Sequence, residues 1–385
     1  MMKRYKVGIL GSGVISRIYI ADIQAFYKDL EVIACADIDL SLAQKLADEF
    51  GISKAYVTEE LLADDDVDIV VNLTPPQFHV ELNKQILAAG KHLFSEKPFA
   101  INIKDAEEVL SLAEEKGLKV GCAPDTFLAS GIQSMRYYLD AGMIGKPFFV
   151  TMNMTDFGVE TWHPNPAPFY VKNSGPLLDM APYYLSALVS LMGPIESIAS
   201  FQTGGEAKRH VYVGKNAGTD ITPKVKTHCS AILRLANGIV ANLNISRDIY
   251  RSNLPAFEIY GDAGTLGYPD PNFGGGTPKI YRKEQYTDPV YNHSSEAAER
   301  KERFYELPEL FPRFKDYSRG IGVLDLAYAI ETGKKNRANG ELIVHITEAI
   351  EGLIKSSETG EFYKMKTTCE RPEPLNAGKN IEEIW

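Results

Sequence analysis

Between residues 5 and 122 the chain alternates short apolar runs with longer segments of helical period. The apolar runs are 6–10, 31–36, 68–72, 92–95 and 119–122; the amphipathic segments are 15–27, 40–50, 78–89 and 103–116. Strands that are apolar on every residue must be buried on both faces, and strands separated by helices pair in parallel. Right-handed crossovers then leave a doubly wound α/β sheet as the expected fold of this half. A chain of 385 residues has room for a second domain.

After about residue 145 the pattern changes. Segments 147–154, 195–203, 225–235, 238–245 and 256–261 read as extended, and helical signals stay sparse until 324–332 and 343–358. Successive strands without helices between them predict an antiparallel sheet, so the second half reads as α+β with a large, mainly antiparallel open sheet. The expected division is 1–124 for the parallel sheet and 125–385 for the rest. The charged stretch 294–303 reads as a solvated helix or loop.

Composition removes several function classes. A formal net charge of −10 repels phosphate backbones and anionic lipid, which argues against nucleic acid or a membrane surface as partner. No apolar run of eighteen residues is present, and the N-terminus passes straight into a strand and a glycine turn. Four scattered cysteines without a CxxC pair read as free thiols in a reducing compartment, and the expected location is the cytoplasm. Cys35 and Cys122 read as small buried hydrophobes.

The first apolar run leads into Gly11-Ser12-Gly13-Val14-Ile15-Ser16. Placed between a strand and a helix, this is a pyrophosphate-binding turn. The first glycine permits the tight turn, the second lets the phosphates approach the backbone, and the helix start supplies unpaired N–H groups. The spacing then calls for an acidic residue at the end of the second strand, where Ala36-Asp37 stands. Asp37 would accept from the adenosine ribose hydroxyls and repel a 2′-phosphate. Since no basic residue follows in Ile38-Asp39-Leu40-Ser41, NAD is favoured, with NADP possible.

Downstream, Gly90-Lys91-His92-Leu93-Phe94-Ser95-Glu96-Lys97-Pro98 forms an A-G-K-H-x-x-x-E-K-P pattern with the preceding Ala89. Together with Asn72-Leu73-Thr74-Pro75-Pro76-Gln77-Phe78-His79 and Asp179-Met180-Ala181-Pro182-Tyr183, it resembles the Gfo/Idh/MocA oxidoreductases, the glucose–fructose oxidoreductase and inositol dehydrogenase family. The resemblance extends from residue 5 to about residue 365. It implies hydride exchange between a nicotinamide and a secondary alcohol or ketone of a sugar, sugar derivative or cyclitol. It also implies a homodimer or homotetramer packed through the large sheet.

Lys97 follows the fifth strand at the sheet's carboxyl edge, where such sheets bind ligands, and would bond the substrate hydroxyl. Glu96 would orient it or the nicotinamide ribose. Asp179 and Tyr183, four residues apart, share one helix face. Many relatives carry histidine where Tyr183 stands, and a phenol is a poor base near neutral pH unless a cation such as Lys97 lowers its pKa. Tyr183 is therefore open to three readings: acid/base, substrate-binding hydroxyl with Lys97 handling the proton, or a residue of a site without turnover. Thr74, Pro75 and His79 read as cofactor neighbours. Asp125 reads as a cofactor or substrate contact, against a helix cap. Trp162 and His163, in a Pro-rich loop, read as a stacking and hydrogen-bonding pair for a sugar. Arg247 and Lys172 are further candidates for the pocket wall, while the absence of an evident basic cluster argues mildly against phosphorylated substrates. Unpaired histidine spacing argues against a metal. Two other classes stay open at this point: an NAD-dependent glycosidase of the redox-elimination type, and a non-catalytic NAD(P)-binding regulator.

Overall fold

The computed structural model describes residues 2–205, 207–285, 304–311 and 319–377, so 294–303 lies outside the described residues. Six parallel strands form the first sheet: β1 (Tyr5–Leu10), β2 (Leu30–Ala36), β3 (Lys54–Tyr56), β4 (Ile69–Asn72), β5 (His92–Ser95) and β6 (Val120–Cys122). Their order is β3-β2-β1-β4-β5-β6. The order reverses between β1 and β4, and that switch point opens a crevice at the carboxyl ends of the strands. Helices α1 (Val14–Phe26), α2 (Leu40–Phe50), α3 (Thr58–Ala63), α4 (His79–Ala88) and α5 (Ile103–Glu115) cover the two faces.

Residues alternate between two cores. Val7, Ile9, Ile69 and Val71 join Tyr19 and Ile20 of α1 on one face. Leu10 and Val70 join Ile86 of α4 and Val109 of α5 on the other. This two-sided burial is why these strands carry no polar alternation. The short edge strand β3 and α3 were not expected from the sequence. All three β3 residues are half-buried, because an edge strand has only one neighbour to pack against.

The second sheet has nine strands in the order β16-β15-β14-β13-β7-β12-β11-β8-β17. They are β7 (Pro147–Thr155), β8 (Ile195–Thr203), β11 (His228–Leu235), β12 (Val240–Ser246), β13 (Phe257–Gly261), β14 (Gly264–Tyr268), β15 (Lys279–Arg282), β16 (Tyr305–Glu306) and β17 (Tyr363–Lys364). A separate two-stranded ribbon pairs β9 (Arg209–His210) with β10 (Asp220–Ile221). Among the described residues of the large sheet only β7 and β12 run parallel; the other neighbours are antiparallel. Cys229, Ala231, Leu233 and Leu235 alternate inward to the core, whereas Ile232 and Arg234 face outward.

Two helices correct the sparse helical reading of the second half: α6 (Ser130–Asp140) and α7 (Pro176–Met192). In α7 only Asp179 escapes full burial. A helix enclosed on all sides has no polar face, so its sequence lacks the amphipathic period. After the large sheet the chain returns as α8 (Ile321–Thr332) and α9 (Gly340–Thr359). The strand edge of β6 is met by this return: Cys122 N donates to Ala338 O (3.3 Å) and Asn336 Nδ2 to Val120 O (3.0 Å). That contact brings residues near 320 to the mouth of the crevice.

Candidate active site

Gly11 holds φ +103°, and a Cβ there would lie 2.9 Å from the backbone C and O of Leu73. Only glycine fits such a position. Gly13 precedes α1 without a side-chain cap, and nothing lies within 4 Å of where its Cβ would be. The start of α1 is therefore uncapped and unobstructed at Gly13, with Val14 and Ile15 in the first turn. Ser16, fully buried, donates to Gly13 O (2.6 Å) and lets α1 sit close to the sheet. Asp37 accepts from Ser12 N (2.8 Å) and Asp39 N (3.1 Å), which sets its carboxylate against the glycine turn. Ser12 Oγ is buried there without a protein partner. A glycine cradle, uncapped helix start and adjacent carboxylate fit the pyrophosphate and ribose of a dinucleotide.

The turn after β4 is locked by Asn72, whose Oδ1 accepts from Thr74 N (3.2 Å) and Thr74 Oγ1 (2.7 Å). The His79 ring then bridges Thr74 O (2.7 Å) and Pro98 O (2.8 Å). It ties the Thr74-Pro75 turn to the Lys97-Pro98 turn and is itself buried.

At the next turn Glu96 accepts from Lys97 N (2.9 Å) and from the Tyr19 hydroxyl (3.0 Å). The Lys97 ammonium donates to Asp179 Oδ1 (2.6 Å) and Asp179 O (2.8 Å). Arg247 donates to the other Asp179 oxygen, Oδ2, and to Asp156 Oδ2 (2.6 Å). Burial draws Lys97 toward neutrality, but the Asp179 carboxylate, with Tyr183 and Glu96, outweighs it and raises its pKa. Burial likewise favours neutral Asp179, yet Lys97 and Arg247 hold its pKa below the ordinary value. The pair is ionised and opens to solvent, with side-chain exposures of 14% and 19%.

Tyr183 lies beneath: Lys97 Nζ is 5.2 Å from its ring centre. Burial raises the phenol's pKa above its ordinary value despite Lys97 and Arg319. On balance Lys97 does not lower it, so near neutral pH the hydroxyl carries its proton. Asp125 is fully buried; one oxygen accepts from Gly322 N (2.8 Å) at the start of α8, and the other lacks a protein partner. Burial, opposed by Arg319, pushes its pKa up to about 6. It thus caps a helix from the far end of the chain while leaving one oxygen free.

Trp162 and His163 are not brought to the charged pair by any contact. Trp162 is 62% exposed and edge-on to His163. The His163 ring packs on Phe169 and accepts from Asn165 N (3.1 Å). The loop that carries them begins at Asp156, which is bonded to Arg247. Lys172 does not join Arg247 either. It lines a separate cleft with Lys224 and Lys226, a basic grouping that sequence spacing concealed. Asp156, Tyr19 and Arg319 were missed, since nothing near them in sequence marks chemistry. Among the described residues, no group of three His, Cys, Asp or Glu side chains is arranged to hold a metal.

A doubly wound sheet with this turn and a lysine–carboxylate pair at its carboxyl edge defines a dinucleotide-binding protein of oxidoreductase type. The comparisons with known proteins agree. Residues 5–123 match a family model described as an oxidoreductase family with an NAD-binding Rossmann fold, and residues 132–267 match the GFO/IDH/MocA C-terminal domain. The chain belongs to the Gfo/Idh/MocA family. It is 26% identical over 274 residues to 1,5-anhydro-D-fructose reductase of Ensifer adhaerens, covering 67% of this chain and 74% of that one. It is 23% identical over 264 residues to myo-inositol 2-dehydrogenase of Thermotoga maritima, covering 68% and 74%. In fold it is similar to levoglucosan dehydrogenase in complex with NADH, with a TM-score of 0.76, 17% identity and coverage of 94% and 99%.

Proposed function

We propose that this protein is an NAD-dependent dehydrogenase or reductase acting on a secondary alcohol or ketone of a sugar, sugar derivative or cyclitol. The observation that carries the reading is the ionised Lys97–Asp179 pair above Tyr183 at the carboxyl edge of the parallel sheet. The named relatives, an anhydrofructose reductase and an inositol dehydrogenase, support the substrate class. When bound, the nicotinamide supplies or receives the hydride.

The chain's own residues do the rest. Amides at Gly13, Val14 and Ile15 would hold the pyrophosphate, which Gly11, its own amide spent on Ala36 O, would let come close to the backbone; Asp37 would hold the ribose and favour NAD over NADP. Thr74 and Pro75, tethered by His79, would flank the cofactor, with Glu96 and Asp125 further along the same edge. Lys97 has three N–H donors and spends two on Asp179, which leaves one for the substrate oxygen. That contact steadies negative charge on the oxygen as the carbon changes oxidation state. Tyr183 exchanges the proton, and Asp179 fixes Lys97. Trp162 and His163 would meet the distal part of the sugar. The charged Lys97–Asp179 pair gives no support to a site without turnover, and no observation favours glycoside cleavage.

The outward face of the large sheet carries Phe201 and Ile232, 72% and 55% exposed, beside the stacked pair Phe149 and Tyr260. That face supports a homodimer or homotetramer. Four free, buried cysteines fit a reducing cytoplasm. The test is a panel of inositols, aldoses, anhydrosugars and glycosides with NAD and NADP, read by nicotinamide absorbance. Stoichiometric NADH from a polyol supports the reading. Glycoside cleavage without net NADH, or tight NAD binding with no turnover of any substrate, sinks it.

A further inference from the structure

Arg319, on the segment leading into α8, is 3% exposed and donates from Nη2 to the Tyr183 hydroxyl (3.2 Å). Its guanidinium carbon lies 5.8 Å from the Tyr183 ring centre, and its own backbone N–H is held by Asp22 Oδ2 (2.6 Å) in α1. A phenol has one proton and accepts through its lone pairs. A hydroxyl that accepts from Arg319 must turn its proton elsewhere, and no described residue accepts it. Lys97, with its ammonium 5.2 Å from the ring centre, is a donor only. We propose that Arg319 is a positioning residue that turns the Tyr183 proton toward the substrate oxygen, so that the site gives a proton to a ketone more readily than it takes one from an alcohol.

This inference rests on the oxidoreductase reading and gives it a direction. In reduction, the carbonyl carbon receives a hydride from reduced nicotinamide, and the C=O π pair moves onto oxygen. The Tyr183 O–H bond breaks, its proton joins that oxygen, and NADH becomes NAD⁺. The tyrosinate left behind is faced by the Lys97 and Arg319 cations and regains a proton from water between turnovers. Oxidation needs the same phenol ionised beforehand. The charged groups that face it are Lys97 and Glu96 from the β5 turn and Arg319 from the return segment. Arg319 in turn faces Asp125 after β6, Asp22 and Tyr19 on α1. Burial outweighs the two cations and keeps the phenol protonated at neutral pH.

The first test follows tyrosine ¹³Cζ resonances against pH in cofactor-free protein, with Tyr183 assigned by Tyr183→Phe. Arg319→Gln is expected to raise the Tyr183 pKa by about one unit, since an opposite charge is lost from its neighbourhood. It is also expected to lower kcat for ketone reduction about tenfold, with little change in KM. Arg319→Lys, which keeps the cation, is expected to restore most of both. An unmoved Tyr183 titration in folded Arg319→Gln, or a lysine variant no better than glutamine, overturns the proposal. Because the titration uses no substrate, it separates failure of this coupling from failure of the sugar assignment. Should Arg319→Gln not fold, wild-type kinetics still decide: reduction should stay level from roughly pH 6 to 9 while oxidation climbs about tenfold per unit. A level oxidation rate over that range overturns the proposal.

Discussion

The glycine turn is held from close by: Gly11 N bonds Ala36 O of the neighbouring strand, and Ser12 N bonds the Asp37 carboxylate just beyond it. Lys97, two strands along the same sheet edge, is held by Asp179, which lies 82 residues on in the sequence. Asp179 is held by Arg247, a further 68 residues on, and Tyr183 by Arg319, 136 residues on. The cofactor half of the crevice is therefore made by one βα unit and its neighbour strand. The chemical half exists only once α7, the large sheet and the C-terminal return have docked. Damage to the first half should weaken binding, and damage to the second should slow the chemistry.

Lys97→Met breaks the chemical half most directly. It is expected to lower kcat about 10³-fold while far-UV circular dichroism and NAD binding stay near wild type, since Arg247 still satisfies Asp179. A comparable loss of NAD affinity would show that the halves are not separate. Tyr183→Phe is expected to cost about 10²-fold in kcat, with KM raised far less; an unchanged rate removes Tyr183 from the chemistry. In the cofactor half, Gly11→Val forces a side chain onto the Leu73 backbone at φ +103°. It is expected to cost about 2–3 kcal/mol in denaturant unfolding and to abolish NAD binding. Asp37→Asn is the mildest change. Isothermal titration should show NAD weakened about tenfold and the gap between NAD and NADP narrowed, because a repulsive charge is gone. Tighter NADP binding by the wild-type protein would sink the NAD preference itself.

Legibility in the sequence follows the same division. The helix at Leu40–Phe50 and the strand at His92–Ser95 lie where pattern alone puts them, because the one has a clear polar face and the other a buried apolar centre. By contrast α7 is enclosed nearly all round and leaves no period to read. Asp179 and Tyr183 were found through their motif. The sign of the Tyr183 shift was not, because it depends on how much water the return segment excludes. Trp162 and His163 were distinctive in composition, yet their contacts stay within their own loop. Arg319 and Asp156 carried no mark at all.

Taken alone, the sequence determined the alternating sheet, the glycine turn, the acidic residue beside it and the lysine after β5. Those features depend on local backbone geometry and on side chains a few residues from a strand end. Tertiary structure alone decided which carboxylate pairs with Lys97, what holds that carboxylate, and which cation donates to the Tyr183 hydroxyl. These are consequences of burial and of charges brought together across more than a hundred residues, and neither quantity is a property of a segment.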